Sequence, residues 1–309
     1  MAIRFDGQVV IVTGGANGLG REHCLQLARL GAKVVVNDYG GNVEGTGTSG
    51  LPAQKVVDEI IAAGGEAIAN GADITNMEQV LSMVENTMKA WGRVDILINN
   101  AGILRDKSFA KMALEDFEKV VNVHLYGALN CTKAVWDIMR AQTYGRILMT
   151  SSASGLFGNF GQSNYGAAKA GVVGLMNVLS IEGAKYNIQV NTLAPTAATR
   201  MLDGLLADDV ANLMGPELVA PGALYLVSES APSKTILGAG AGCFSVIRIY
   251  ETAGHFVKGA ALGVDDVADN WELISNIEGQ TEMESAFKQT DKFVTLAAKK
   301  LGVQLNNGT

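Results

Sequence analysis

The chain has 309 residues, of which 48% are hydrophobic and 18% charged, a composition typical of one large or two ordinary globular domains. Its formal net charge of −7 argues against a basic surface for nucleic acid. No uninterrupted apolar stretch reaches membrane-spanning length, so we expect neither a nucleic-acid nor a membrane partner.

Short apolar runs rich in β-branched residues alternate with segments of helical period. The predicted strands are residues 8–13, 33–37, 66–70, 94–99, 146–151 and 188–193, with a final strand at 243–250. The predicted helices lie near residues 19–30, 53–63, 77–91, 114–142 and 165–186. This alternation predicts an α/β fold with a doubly wound, Rossmann-type parallel sheet of about seven strands and a C-terminal helical appendix.

Two further segments bear on domain organisation and assembly. Residues 255–309 contain two helical patterns, near 265–277 and 284–300, but are too few for an independent core, so we expect a domain at 1–254 and an extension packed on it or on a partner subunit. Residues 168–182 contain one Lys and one Glu and are apolar on nearly every side. Such a helix needs a second covering surface, which predicts a homodimer or a tetramer of dimers.

Cysteine usage and the N-terminus favour a cytoplasmic protein. Cys24, Cys131 and Cys243 are scattered and lack metal-ligand spacing, which predicts free thiols and no metal site. The first residues run directly into a strand pattern, so we expect no signal peptide.

A glycine-rich turn lies between the first predicted strand and the first helix, with the sequence Thr13-Gly14-Gly15-Ala16-Asn17-Gly18-Leu19-Gly20. Glycines permit a tight turn and close approach of a pyrophosphate, and the helix N-terminus supplies free N–H groups and positive potential. At this place in a βαβ unit, the turn predicts a dinucleotide site formed by Gly14, Asn17, Gly18, Leu19 and Gly20.

Asp38 ends the second predicted strand, where a carboxylate can accept hydrogen bonds from ribose hydroxyls and repels a 2′-phosphate. No Lys or Arg lies within the glycine turn, although Arg21 follows it. We therefore expect NAD rather than NADP; the alternative for Asp38 is a solvated strand-end residue. Residues 40–50 contain five glycines, which predicts a flexible loop or a flap over the adenosine end of the cofactor.

Tyr165 and Lys169 are one helical turn apart, so their side chains share a helix face. An ammonium group near a phenol favours the phenolate, so Lys169 is expected to lower the pKa of Tyr165 and make it a usable general base, provided that a cationic cofactor adds to the field. Ser152 lies thirteen residues before Tyr165 and completes a candidate catalytic group.

With Asn99-Asn100-Ala101-Gly102, these motifs occur in the order found in the short-chain dehydrogenase/reductase family, which the sequence resembles over residues 5 to about 250. Stretches such as NNAGILRDKSFAK and YGRILMTSSASGLFGNFGQSNYGAAK are similar to the (3R)-hydroxyacyl-CoA dehydrogenase units, also called 17β-hydroxysteroid dehydrogenases, of peroxisomal multifunctional enzymes. The resemblance implies an NAD-dependent oxidation of a secondary alcohol.

The resemblance also implies a role for each matching residue. Tyr165 would be the general base, Lys169 its pKa modulator and a ribose ligand, and Ser152 the group that orients the substrate oxygen. The remaining cofactor contacts implied are Asp73 and Ile74 at the adenine, Asn100, Ala101 and Gly102 as a wall, and Pro195, Thr196, Ala197 and Thr199 near the nicotinamide carboxamide.

Two departures from the family pattern affect the site. His124 stands where most members have Asn, and it either holds a relay water for protons or packs beside Tyr126. The usual Pro-Gly after the sixth strand is Pro195-Thr196, which makes the contacts there less defined. Arg105-Asp106 either contacts a CoA or frames the pocket, or forms an ion pair with a neighbour.

The substrate is expected to be a small molecule, and the sequence leaves its class open. A (3R)-3-hydroxyacyl-CoA is the first candidate, a steroid with a ring hydroxyl is the second, and a non-catalytic dinucleotide sensor is the third. Residues 196–232 are apolar and irregular after the sixth strand, and are expected to form a substrate lid.

Overall fold

A computed structural model describes residues 2–47, 51–197, 208–258 and 262–305 of the chain. The chain divides into two compact units, Met1–Ile247 and Arg248–Thr309. The first unit carries every sequence motif discussed above.

The first unit is built on an eight-stranded sheet with the order β3-β2-β1-β4-β5-β6-β7-β8. Its strands are β1 (Val9–Thr13), β2 (Lys33–Asn37), β3 (Glu66–Asn70), β4 (Ile96–Asn99), β5 (Gly145–Thr150), β6 (Ile188–Thr196), β7 (Ile236–Gly240) and β8 (Cys243–Ile247). The first seven run parallel, and β8 pairs antiparallel with β7 at the edge. The predicted doubly wound α/β fold is confirmed, with eight strands rather than about seven.

Helices cover both faces of this sheet. They are α1 (Gly18–Arg29), α2 (Leu51–Ala62), α3 (Met77–Trp91), α4 (Leu114–Val121), α5 (Gly127–Gln142), α6 (Ala153–Phe157), α7 (Ser163–Gly183), α8 (Asp208–Asn212) and α9 (Ala220–Leu226). Two hydrophobic clusters separate the sheet from its helices: Val10, Val12 and Val36 belong to one, while Ile11 and Val35 belong to the other. This alternation of facing residues places an apolar layer on each side of the sheet.

Both ends of α3 are set by residues with typical capping chemistry. The Asn76 side chain accepts hydrogen bonds from the backbone N–H groups of Glu78 and Gln79 at the start of α3. Gly92 ends the same helix in the left-handed region, at φ 73°.

The region predicted as one helix over 114–142 contains α4 and α5 joined by a π-helical segment, Asn122–Tyr126, which carries His124.

One strand of the sheet was missing from the sequence prediction. β7 has the sequence ILGAG, whose two glycines weaken the strand signal. A Cβ on Gly240 would approach the Thr196 carbonyl oxygen to 2.8 Å, so the close packing of β7 on β6 depends on the absence of a side chain there. The final strand predicted over 243–250 is the shorter edge strand β8.

The second unit contains a two-stranded antiparallel pair and three helices among its described residues. These are β9 (Tyr250–Glu251), β10 (Thr281–Glu282), α10 (Val264–Asp269), α11 (Trp271–Ile274) and α12 (Ala286–Leu301). The Lys292 ammonium, from α12, donates to the Thr252 carbonyl at 2.7 Å and pairs with Glu251 at 3.1 Å, which ties the last helix to the strand pair.

Within the described ranges, the structure has no helix that is both long and apolar enough to cross a membrane. In the same ranges, no three His, Cys, Asp or Glu side chains are grouped as a metal site requires.

Candidate active site

A cavity of about 340 Å³ opens at the carboxyl ends of the central strands. This is the edge of an open α/β sheet at which ligands bind. The residues named from the sequence that line it are Gly14, Asn17, Gly18, Leu19, Asp38, Asp73, Ile74, Asn100, Ala101, Gly102, His124, Tyr165, Lys169 and Pro195. Gly20, Ser152, Thr196 and Ala197 are not in its lining, and Thr199 lies outside the described residues.

The glycine turn is tied to the end of β4. Gly14 has φ +64°, and a Cβ there would approach the Ala101 Cα to 2.8 Å. The Asn100 amide nitrogen donates to the carbonyls of Thr13 at 3.0 Å and Gly14 at 3.1 Å, while the Thr13 hydroxyl accepts from the backbone N–H groups of Asn100 and Ala101. A Cβ on Gly20 would overlap the Gly14 carbonyl oxygen, so Gly20 supports the turn from behind.

Asp38 lies in the cavity wall, and both of its carboxylate oxygens are used. One accepts from the Ala16 N–H at 3.1 Å, and the other accepts from the Gly40 N–H at 2.8 Å. These bonds orient the carboxylate between the glycine turn and the segment that follows β2. This is not the environment of a freely solvated strand-end residue.

The turn after β3 forms the neighbouring part of the wall. One Asp73 carboxylate oxygen accepts from the backbone N–H and from the hydroxyl of Thr75, both at 2.8 Å. The buried Asn37 amide donates to the Asn70 side chain and to the Ala72 carbonyl, both at 3.0 Å. Asn37 also lines the cavity and was not named from the sequence, because only the folded sheet aligns the ends of β2 and β3.

Part of the glycine-rich segment after Asp38 also faces the cavity. Gly41, Asn42, Val43 and Gly45 line it, together with Lys119 from α4. We call residues 41–46 the strap. Its position supports the interpretation of this segment as a flap rather than a free loop; residues 48–50 of the same segment lie outside the described residues.

The catalytic candidates meet at the start of α7. Ser152 precedes α6, and its hydroxyl accepts from the Ser154 N–H at 3.2 Å. Lys169 is almost fully buried, and its ammonium donates to the Thr150 carbonyl at the end of β5 at 2.5 Å. The same nitrogen lies 5.5 Å from the centre of the Tyr165 ring. The one-turn spacing read from the sequence therefore places both side chains in one wall of the cavity.

Burial dominates the electrostatics of the two catalytic candidates in the protein alone. Burial raises the pKa of Tyr165, and the hydrogen bond with the Ser152 side chain opposes that rise. The predicted lowering of this pKa requires a bound cationic cofactor; in the protein alone, burial dominates at Tyr165 and also lowers the pKa of Lys169 to about 7.

His124 is buried between the backbone and Tyr165. Its Nε2 lies 3.1 Å from the Ile103 nitrogen and 2.8 Å from the Ile103 carbonyl oxygen, whereas its Nδ1 has no hydrogen-bond partner. Its ring meets the Tyr165 ring edge to face, with centroids 5.0 Å apart. A Cβ on Gly102 would overlap the imidazole, so this glycine makes room for it.

Burial, together with the charge of Lys169, holds the pKa of His124 well below its usual range, so the ring is neutral at pH 7. A neutral imidazole has one N–H and one bare nitrogen, so it can pass a proton only if both ring nitrogens find partners. The structure therefore gives His124 a packing contact with Tyr165, not with Tyr126, and leaves one nitrogen free for a relay.

Comparisons with known proteins found similar sequences and structures. The family model for short chain dehydrogenase matches residues 8–209. Peroxisomal multifunctional enzyme type 2 from Mus musculus is 43% identical over 300 residues, which cover 96% of this chain and 40% of the mouse protein. The chain thus spans less than half the length of that relative.

Two solved structures are also similar. Full-length peroxisomal multifunctional enzyme type 2 from Drosophila melanogaster superposes with a TM-score of 0.81 at 35% identity, covering 97% of this chain and 51% of that one. A 7α-hydroxysteroid dehydrogenase complexed with NADH and 7-oxo glycochenodeoxycholic acid gives a TM-score of 0.70 at 30% identity, covering 77% of this chain and 95% of that one.

Proposed function

The chain belongs to the short-chain dehydrogenase family, and from that premise we propose that it is an oxidoreductase that oxidises a (3R)-3-hydroxyacyl-CoA to the 3-ketoacyl-CoA with NAD. The observation that carries the proposal is the shared cavity: Tyr165 and Lys169 line the same space as the glycine turn and Asp38. The acyl-CoA assignment rests on the resemblance to multifunctional enzyme type 2 over 96% of the chain.

The residues present fit a nicotinamide dinucleotide. The glycine turn leaves no room for side chains at Gly14 and Gly20, which lets a pyrophosphate approach the start of α1. Asp38 is oriented in the wall, where it can accept from ribose hydroxyls and disfavours a 2′-phosphate. Asp73 and Ile74 would hold the adenine. When bound, the nicotinamide supplies the hydride acceptor.

The chain's own residues supply proton transfer and orientation. The Tyr165 phenolate takes the hydroxyl proton of the substrate, while the Ser152 hydroxyl holds the same oxygen as it becomes a carbonyl. Because burial raises the pKa of Tyr165, the phenolate needs positive charge beside it. Protonated Lys169, fixed by the Thr150 carbonyl, provides that charge, and the proton then leaves through a path from Lys169 to a water held by His124.

Tyr165→Phe tests the role of the phenol. We expect turnover to fall by at least about 100-fold, because general acid–base groups contribute about 10²–10⁴-fold. NAD binding, measured by calorimetry, is expected to remain. Tyr186→Phe makes the same chemical change beyond the far end of α7 and serves as the control. Near-normal turnover of Tyr165→Phe would refute the assignment.

Substrate class is tested by following reduced nicotinamide in absorbance. The panel is NAD or NADP with (3R)- and (3S)-hydroxyacyl-CoAs of several chain lengths and a 17β-hydroxysteroid. We expect activity with NAD and the (3R) esters. A ring hydroxyl is the second candidate, favoured by the similarity to a 7α-hydroxysteroid dehydrogenase, and activity confined to the steroid would establish it instead. Binding of the nucleotide without turnover of any alcohol in the panel would favour the third candidate, a non-catalytic dinucleotide sensor.

We further propose a cytoplasmic homodimer or a tetramer of dimers, with no nucleic-acid or membrane partner. The assembly is supported by α7, which packs one side against β6 and leaves Val178 and Ile181 more than half exposed on the other. Location in the cytoplasm rests on the scattered thiols, of which Cys24 and Cys131 are buried and free while Cys243 is exposed.

A further inference from the structure

The strap, residues 41–46, is closed on itself by a compact set of hydrogen bonds. The Asn42 N–H donates to the Thr46 carbonyl at 2.9 Å, and the Asn42 side chain accepts from the Thr46 N–H at the same distance. Gly45 has φ +74°, and its N–H donates to the Asn42 carbonyl at 3.0 Å. The strap is therefore a turn closed by its own hydrogen bonds.

Two cations hold this turn against the opposite wall of the cavity. Arg105 donates from Nε and Nη2 to the Glu44 carbonyl, at 3.1 and 2.9 Å, and its Nη1 pairs with Asp116 at 2.5 Å. The Lys119 ammonium donates to the Gly45 carbonyl at 3.0 Å. Both strap acceptors are backbone carbonyls, so the contacts depend on the cations rather than on the strap side chains.

Backbone contacts continue the same junction. The Leu104 N–H donates to the Val43 carbonyl at 3.0 Å. Gly45 faces Ile103 so closely that a Cβ on Gly45 would come within 3.0 Å of the Ile103 side chain. The strap thus joins the segment after β2 to the loop after β4, and it lines the same cavity as Asp38 and Asp73.

Arg105 is itself held in place from the catalytic side. Its carbonyl accepts from the Asn164 amide at 2.9 Å, and the other end of that fully buried amide accepts from the Tyr165 N–H at 2.7 Å. The Asp116 contact fixes the guanidinium from α4. Arg105 is therefore held at its backbone by Asn164 and at its guanidinium by Asp116.

We infer that Arg105 and Lys119 are positioning residues that clamp the strap over the adenosine half of a bound dinucleotide and so slow its release. The inference rests on the proposed function, because it takes the cavity to be the dinucleotide site. Its structural basis is that four strap residues line the same cavity as Asp38 and Asp73, so a dinucleotide that fills this cavity meets the strap.

The test uses the full chain and NADH fluorescence. Dissociation of bound NADH is followed by stopped-flow displacement with excess NAD, and KM for NAD is measured beside kcat. For Arg105→Met, which keeps the aliphatic stem, we expect dissociation about tenfold faster and a rise in KM larger than any change in kcat. Arg105→Lys keeps the charge but loses the planar guanidinium that bonds Glu44 and Asp116 at the same time. Its rate of NADH dissociation should lie between those of the unaltered chain and Arg105→Met.

Lys119→Met provides an independent variant, with an expected acceleration of about threefold to tenfold, and covers the case in which Arg105→Met does not fold. Arg140→Met is the matched control, because Arg140 also forms an ion pair, with Asp137 at 2.9 Å, on the outer surface of α5. Thermal unfolding of each variant separates loss of the clamp from loss of the fold.

NADH dissociation within twofold of the unaltered chain, in a folded Arg105→Met and a folded Lys119→Met, would overturn the clamp while leaving the proposed function intact. Equal acceleration in Arg140→Met would also overturn it, because the effect would then be general. Failure of the unaltered chain to bind NADH would overturn the proposed function as well as the clamp.

Discussion

His124 occupies the position at which most of the wider family has Asn, and its two ring nitrogens have different surroundings. Nε2 is fixed by the Ile103 backbone, whereas Nδ1 is buried without a partner. An unpaired buried nitrogen costs about 1–3 kcal/mol, so a bound water on Nδ1 would remove a penalty as well as extend the proton path from Lys169. The ring contact with Tyr165 is the competing explanation for the residue.

His124→Phe separates these two explanations, because Phe keeps an aromatic ring beside Tyr165 and removes both nitrogens. If His124 relays protons, we expect kcat to fall about 10- to 100-fold, with little change in the dissociation constant for NAD. His124→Asn, which restores the common family residue, should recover much of the loss. If packing is the whole role, kcat of His124→Phe stays within about twofold of the unaltered chain.

Individual residues show what the sequence could and could not predict about the cavity. The spacing of Tyr165 and Lys169 predicted their shared wall, because one helical turn fixes the geometry locally. The raised pKa of Tyr165 in the protein alone was not predictable, because it comes from the burial of Tyr165 in the assembled fold. An ion pair was one of the predicted alternatives for Arg105. Its bonds to the Glu44 carbonyl were not predicted, because they join segments about sixty residues apart and no local pattern reveals such a contact.

Among the elements, those with strong periodicity matched the structure and those with weak signals did not. The predicted strand at 33–37 coincides with β2, because β-branched runs are distinctive. β7 was not predicted, because its two glycines weaken the strand signal. One of them, Gly240, allows β7 to pack closely on β6, a contact that exists only in the folded protein. The break between α4 and α5 was missed for another reason: the π-helical segment is only five residues long and is continuous with α-helix on both sides, so it hardly changes the apolar pattern.

Helix α7 combines the catalytic pair at its start with an exposed apolar side further along. Ile181 is 56% exposed, and Val178 is 53% exposed. If this side meets its copy in a second subunit, Ile181→Glu places two like charges at the seam and should shift the protein toward the monomer. Sedimentation velocity measures the shift, with Leu81→Glu on α3, an apolar residue of similar exposure, as the control.

An unchanged sedimentation coefficient for Ile181→Glu would exclude α7 as the interface. A shift of the same size for Leu81→Glu would mean that the charge acts through general destabilisation. Because Tyr165 and Lys169 belong to the same helix, loss of turnover in parallel with dissociation would show that assembly supports the catalytic group.

At the scale of the whole molecule, the first unit buries basic groups that are neutral when folded. His23 on α1 is fully buried, and neither ring nitrogen has a hydrogen-bond partner. Burial lowers its pKa to about 4, from an ordinary value of 6.5. No local pattern marks His23 as a core residue, because only the packing of α1 buries it.

This burial predicts a specific loss of stability in acid. Below pH 6.5 the unfolded chain binds a proton at His23 that the folded chain refuses until about pH 4, so the free energy of unfolding falls as the pH drops through that window. Between pH 7 and pH 5 the His23 contribution is about 2 kcal/mol. His23→Leu removes it, so its stability should depend less on pH by that amount.

The measurement is urea unfolding at pH 7 and pH 5, followed by far-UV circular dichroism, for the unaltered chain, His23→Leu and His255→Leu. His255→Leu is the control, because it makes the same substitution at an exposed position. Other groups titrate in the same window, but they are common to all three chains and cancel in the difference. If His23→Leu loses as much stability between pH 7 and pH 5 as the unaltered chain, then His23 is protonated in the folded protein, and α1 must open or hydrate locally to admit the charge.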